Sequence, residues 1–246
     1  MIFNIPEEYL VNMPIDIKTF LTSDLTLKEK KRFKEIVLEV TLKYQVTGEE
    51  IPSLINEDYD CQVILFFEIK LRTIKDASFV SGIFNWLVKA PCVLRCHDHT
   101  GSEVYSYAHK RLSKQDRSQV VIEDIIMTSP TSQHFEDEIN TLMRRYIAFD
   151  KLKNRVNKLN LYLEMMIKSF IISNLAIWSG NKQFLVSKVW YNLDEVLKMF
   201  ELLKAIKQMK VNQKSAQTIA EQSRINTELK KMFNELRIFL KNELEE

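Results

Sequence analysis

The sequence predicts an α+β protein, a small mixed sheet of about four strands with flanking helices followed by a long helical, coiled-coil-like C-terminal half. Three observations predict it. Four dense β-branched and aromatic runs fall before residue 131, and apolar residues recur at helical spacing after it. Glycine and proline are scarce, at four and five in 246 residues, which favours long helices over turns.

Thr26 followed by Glu29 has capping-box spacing, and Leu27, Phe33, Ile36, Val37, Val40 and Tyr44 then recur at helical intervals until Gly48, so one helix is expected there. Residues 62–71 read as a central strand. Asp76 or Ser78 can cap a short helix that ends before Pro91. Residues 92–97 and 103–112 read as a hairpin turning at Asp98-His99-Thr100-Gly101, and residues 120–127 as a further strand. Ser129-Pro130-Thr131-Ser132 closes the module.

Beyond it, Leu152, Val156, Leu159, Leu163, Met166, Phe170, Ser173 and Ile177 follow four-three spacing, broken at Ser179-Gly180-Asn181. A second seam is Val196, Met199, Leu203 and Ile206; a third is Ile219, Gln222, Asn226, Leu229, Phe233, Leu236 and Leu240. Residues 207–218 lack Gly and Pro, which leaves one long helix and a helical hairpin both open. The expected organisation is a 1–131 α/β module, a 132–192 long helix and connector, and 193–246 coiled-coil-like helices. Asn226 either fixes helix register and partner number or sits at a solvent edge.

The 35 basic and 33 acidic side chains nearly cancel, so bulk charge does not advertise a nucleic-acid binder. Three cysteines argue against a disulfide framework and fit a reducing cytosol. The N-terminal residues show no basic and then apolar signal, and a cytoplasmic location is expected. Glu164 and Lys168 interrupt the apolar stretch 159–178, which speaks against a membrane span.

Candidate chemistry is thin. Glu68 and Lys70 share one strand face, similar to the metal-ligand and lysine half of restriction-type nucleases, with Asp60 or Asp58 as the nearest upstream acid. A strand end reaching solvent is the plainer reading. Cys92, Cys96, His97 and His99 crowd one hairpin, but alternation separates the cysteines from His97 and argues against zinc. No phosphate loop, nucleophile elbow or His-Glu-x-x-His helix is present, so no cofactor, metal or catalytic residue is assigned. Lys110, Arg111, Lys114 and Arg117, with His109, Tyr105 and Tyr107 nearby, form a basic patch that admits DNA or RNA, and either Lys151, Lys153, Arg155 and Lys158 or Lys204, Lys207, Lys210 and Lys214 could extend it along helices. Solvated surface is the alternative.

The stretches Val63 to Leu71, Ile83 to Arg95 with Lys-Ala-Pro-Cys-Val-Leu, Tyr105-Ser-Tyr-Ala-His-Lys-Arg, Ile225-Asn-Thr-Glu-Leu-Lys-Lys and Asn234-Glu235-Leu236 together resemble a prokaryotic family known only as a domain of unknown function. Its members sit beside helicase and DNA-methyltransferase genes in antiphage defence islands. Residues 135–190 are longer than that pattern, and Met127-Thr128-Ser129 stands where it has a tryptophan. The resemblance implies a non-catalytic accessory subunit docking onto a helicase or methyltransferase, and the apolar seam of 193–245, with Val196, Leu203, Asn226, Leu229, Phe233, Leu236 and Leu240, is the surface that needs a neighbour to cover it. Homo-oligomerisation through the same helices is a further option. The alternatives are a metal-dependent nuclease using Glu68 and Lys70, and a non-catalytic nucleic-acid-binding module.

Overall fold

The computed structural model describes residues 2–135 and 137–242. Its strands are β1 (Leu10–Pro14), β2 (Val37–Val46), β3 (Leu54–Ile55), β4 (Asp60–Cys61), β5 (Ile64–Leu71), β6 (Cys92–His97), β7 (Ser102–Leu112), β8 (Val120–Met127) and β9 (Thr131–Ser132). Its helices are α1 (Leu27–Ile36), α2 (Ala77–Leu87), α3 (Glu138–Tyr146), α4 (Lys158–Ser173), α5 (Asn181–Phe184), α6 (Leu193–Ser215) and α7 (Ile219–Asn242), with short 3₁₀ turns between them. The α+β class holds, but the main sheet has seven strands, in the order β1-β2-β5-β6-β7-β8 with β9 also on β7, where about four were expected. The chain forms two compact units, Met1–Phe170 and Ile171–Glu246. The boundaries expected at 131 and 192 fall inside the first and the second unit.

The larger sheet has a local cause. Thr26 does cap α1 through the Glu29 amide, and Glu29 returns the bond in a full capping box. The helix stops at Ile36, however, and Val37–Val46 is a strand instead of the helical continuation. Val37, Val40, Thr41 and Val46 are β-branched and lie opposite Leu71, Ile69, Glu68 and Ile64 of β5, so sheet pairing overrides the helical spacing.

One connection in the sheet is parallel. β5 leads through α2 to β6, which runs parallel to β5, whereas the other neighbouring pairs are antiparallel. α1 and α2 cover one face: Phe33, Ile36, Val80, Ile83 and Phe84 pack with Phe20 on Val40, Phe67, Ile69, Leu94 and Cys96. Each buried phenylalanine contributes about 1.5–3 kcal/mol relative to exposure. The opposite face presents Phe66, Tyr105 and Tyr107. There Phe3 meets Phe66 and Tyr105 edge-on at 5.6 and 5.1 Å, and the Ser169 hydroxyl of α4 donates to the Tyr107 oxygen at 2.9 Å. Tyr162 of α4 accepts from the Ala108 amide at 2.8 Å and lies 3.0 and 3.1 Å from the carbonyls of Ala108 and Cys92.

α4 is shorter than the expected seam. Leu152 and Val156 precede it, and Val156 is exposed. Glu164 and Lys168, four residues apart, are both buried and ion-paired with each other. Glu164 also accepts the backbone amides of Lys153 and Asn154, at 2.9 and 2.7 Å. Among the described residues no helix is long and apolar enough to cross a membrane.

In the second unit α6 ends at Ser215 and α7 begins at Ile219, so 193–242 is a helical hairpin and not one helix. Val196, Met199, Leu203 and Ile206 of α6 and Ile225, Leu229, Leu236 and Leu240 of α7 are buried. α6 packs along α7 and against the turns 175–177 and 189–191.

Candidate functional site

Strand alternation and register assemble a polar network on the sheet face opposite α1 and α2. Glu68 of β5 lies opposite Arg95 of β6, Arg95 opposite Tyr105 of β7, and His97 opposite Glu103. Arg95 occupies the centre. Its Nη1 donates to Glu68, and its Nε and Nη2 each reach Glu103 Oε2 at 2.8 Å. Tyr105 donates to the other Glu103 oxygen at 3.2 Å. Glu68 is further approached by His97 Nε2 at 3.6 Å and Lys43 Nζ at 3.9 Å.

The network is largely withdrawn from water, with Glu103 only 5% and Arg95 15% exposed at the side chain. Burial works against the Arg95 cation, but Tyr105, Glu103 and Glu68 outweigh it and raise its pKa above the ordinary value. Burial, and then the Arg95 charge, pull His97 below its ordinary value, against the opposite pull of Glu68 and Glu103. Burial, and then Glu103, push the Tyr105 phenol up. The cluster is therefore a fixed guanidinium clamped by two carboxylates.

That geometry bears on the Glu68–Lys70 pair. Lys70 pairs with Glu39 at 3.4 Å, and Asp60 belongs to the separate β3–β4 ribbon, where Gln62 donates to it at 3.0 Å. A cation drawn to Glu68 would have to displace Arg95. Among the described residues no group of three or more His, Cys, Asp or Glu side chains is placed to hold a metal. Cys92 and Cys96 face the apolar core and His97 the polar network, and burial pushes the Cys96 thiol up to about 12.

The basic hairpin is brought together only in part. Lys110 is buried, and its ammonium donates to the carbonyls of Val88 and Ala90 at 2.7 and 3.2 Å, which pins the link from α2 to β6. Strand alternation places Lys110 with Val104, Ser106 and Ala108 on the sheet face that carries Cys92 and Leu94, so it points to the α2 side. Burial lowers its pKa, partly offset by Cys92. Arg111 is bound to Glu123, and exposed Arg117 lies 3.7 Å from Glu57. Lys114 is exposed. Tyr105 and Tyr107, expected as stacking surfaces, are buried. A cleft of about 430 Å³ beside the hairpin is lined by Asp60, Lys89, Arg117 and Val120 among others.

A family model described as Domain of unknown function (DUF4391) matches residues 3–236. The chain belongs to this family. No curated protein and no solved structure matches it.

Of the helical positions singled out in this DUF4391 chain, Val196, Leu203, Leu229, Leu236 and Leu240 are buried and Phe233 is half-buried. Asn226 is exposed and accepts from Gln213 Nε2 across the hairpin. The clamp of Arg95 with Glu103 was not foreseen. Its only signal was a charged residue inside the apolar run Cys-Val-Leu-Arg-Cys, and the partner follows only from the register of β6 on β7.

Proposed function

We propose that this chain is a non-catalytic interaction subunit of a DNA-targeting prokaryotic complex of the antiphage, restriction-like kind, docking onto a helicase or DNA methyltransferase. The observation that carries the reading is the outer edge of the large sheet. β1 is the last strand on that side, all five of its residues are exposed, and Leu10, Val11 and Met13 are 47, 41 and 48% exposed, with Leu38 of β2 at 42%. Next to it Ile15, Ile17, Leu38 and Val40 line a groove of about 370 Å³.

A bare edge invites indiscriminate strand pairing, and this one is guarded. Asn12 has φ +50°, the register shifts between Leu10 and Met13, and Pro14 removes a donor. The occupant that fits is an extended apolar segment of the partner, held by side-chain packing more than by a continuous ladder. Val196, Met199, Leu203 and Ile206 of α6 and Leu229, Leu236 and Leu240 of α7 are buried, although Ile219 is exposed, so docking is assigned to the β1 edge instead.

The nuclease alternative loses support from the Arg95 clamp on Glu68. Affinity purification of the tagged full chain from its host, with mass spectrometry, tests the docking reading. A helicase or methyltransferase is expected with the natural sequence and is lost with Leu10→Asp combined with Met13→Asp at unchanged melting temperature. Recovery of neither enzyme, or equal recovery with the double variant, overturns it.

A further inference from the structure

Positive charge is concentrated on the helical layer that covers one face of the sheet. Residues 27–36 and 72–89, which hold α1, α2 and the short segments flanking α2, carry eight basic and three acidic side chains, a net +5 against +2 for the whole chain. The rest of the chain is therefore net negative. α2 itself contains no charged residue and offers α1 no carboxylate.

Helical spacing sorts α1 into two faces. Phe33 and Ile36 are buried against the sheet, whereas Leu27, Lys30, Lys31 and Lys34, at i, i+3, i+4 and i+7, share the outer face with Lys28 beside them. Lys28, Lys31 and Lys34 are exposed and Lys30 is half-buried. Two of the three nearby acids are engaged elsewhere: Asp76 holds Arg32 at 2.9 Å, and Glu29 turns back to the Thr26 amide at 2.8 Å in the capping box. Glu35 lies on the flank of the lysine face. Among the described residues none of the four lysines has a carboxylate at ion-pairing distance. Lys30 and Lys34 are like charges one turn apart, a spacing that weakens a helix unless an anion lies against it.

The anion that fits is long and repeating. Lys28 to Lys34 spans about 9 Å of helix, and a duplex presents one phosphate per about 1.7 Å of its axis, so a row of that length faces several phosphates. A single strand needs successive aromatic rings for its bases, and of the aromatic residues of the two helices only Trp86 is exposed. An anionic lipid surface needs an apolar helix face to insert, and the apolar side chains of α1 other than Leu27 are committed to the core.

We infer that the outer face of α1 binds the phosphate backbone of double-stranded nucleic acid through Lys28, Lys30, Lys31 and Lys34. No side chain of this face reads base edges, so the contact is independent of sequence.

Fluorescence anisotropy of the full chain with a labelled duplex, across about 50 to 200 mM salt, is the test. Combining Lys30→Gln, Lys31→Gln and Lys34→Gln, which preserves helix propensity, should weaken binding at least about tenfold and reduce the log–log salt slope by about 2.7, the share of three phosphates on a duplex. Lys31→Gln alone, the least disruptive change, should remove about a third of that slope. Duplexes of unrelated sequence should bind within about twofold of one another. Leu10→Asp combined with Met13→Asp, which tests the docking edge, should leave duplex binding unchanged, so the two assignments fail separately. Oligodeoxythymidine, inorganic polyphosphate and phosphatidylserine vesicles are the competing arms. Tighter binding of the single strand, competition by polyphosphate as strong per phosphate as by the duplex, or lysine-dependent binding of the vesicles without binding of the duplex overturns the assignment. Unchanged binding by the triple variant at an unchanged melting temperature, or no salt-dependent binding by the natural sequence, also overturns it.

Discussion

The two units place their basic residues at different depths. In the first unit Lys110, Lys158 and Lys168 are buried, and each ammonium is held by oxygen atoms. Lys158 donates to the carbonyls of Gly48 and Ile51 at 2.9 and 2.6 Å, and Arg95 sits between two glutamates. In the second unit Lys207, Lys210 and Lys214 line an open cleft. Withdrawing a cation from water costs several kcal/mol and is tolerated only where acceptors are already in place. A lysine's position in sequence therefore says little about its availability; the acceptors around it decide. Burial lowers the pKa of both Lys110 and Lys168, with Cys92 and Glu164 respectively pulling the other way.

The largest expected effect tests whether these buried cations are structural. Glu164→Ala leaves the Lys168 ammonium without its carboxylate and the amides of Lys153 and Asn154 without their acceptor. Breaking such a pair costs about 3–5 kcal/mol. Urea denaturation should register that loss, and a change below about 1 kcal/mol would mean that water reaches the site and that the contrast between the units is false.

Next in size is Lys110→Met. It keeps the apolar stem but leaves the carbonyls of Val88 and Ala90 without their donor, at a cost of about 1.5–3 kcal/mol. A variant that kept its full stability would return Lys110 to the surface patch read from sequence and reverse the comparison.

That reversal shows how far the sequence carries. The strands at 64–71, 92–97, 102–112 and 120–127 were legible because β-branched and aromatic residues are dense there. β2 was not, because Phe33, Ile36, Val37, Val40 and Tyr44 also satisfy a helical period, and only pairing with β5 distinguishes the two. β1 has five exposed residues and therefore no burial pattern to detect. Of the polar network, Glu68 was visible as one of a pair with Lys70, but Lys70 turns to Glu39 while Glu68 turns to Arg95, a choice fixed by neighbouring strands and not by spacing. The two lysine groups looked alike in sequence because their difference lies in what each strand or helix face meets, the Val88 and Ala90 carbonyls for Lys110 and an open cleft for Lys207 and Lys214.

The smallest effect sharpens the picture of the first unit as a set of enclosed charges. Burial and the Arg95 charge, with a lesser push from Lys70, hold the folded-state pKa of His97 below 6.5, while Glu68 and Glu103 oppose them. A folded state that binds this proton less readily than the unfolded chain is favoured where the imidazole is neutral. His97 thus contributes stability that is complete above about pH 6.5 and is lost as the pH falls through its folded pKa. His97→Gln should flatten the melting temperature over that interval by at most a few degrees and leave the alkaline side unchanged. A profile that instead steepened with His97→Gln would mean that the pull of Glu68 wins over burial, and that the Arg95 clamp has room for a second cation.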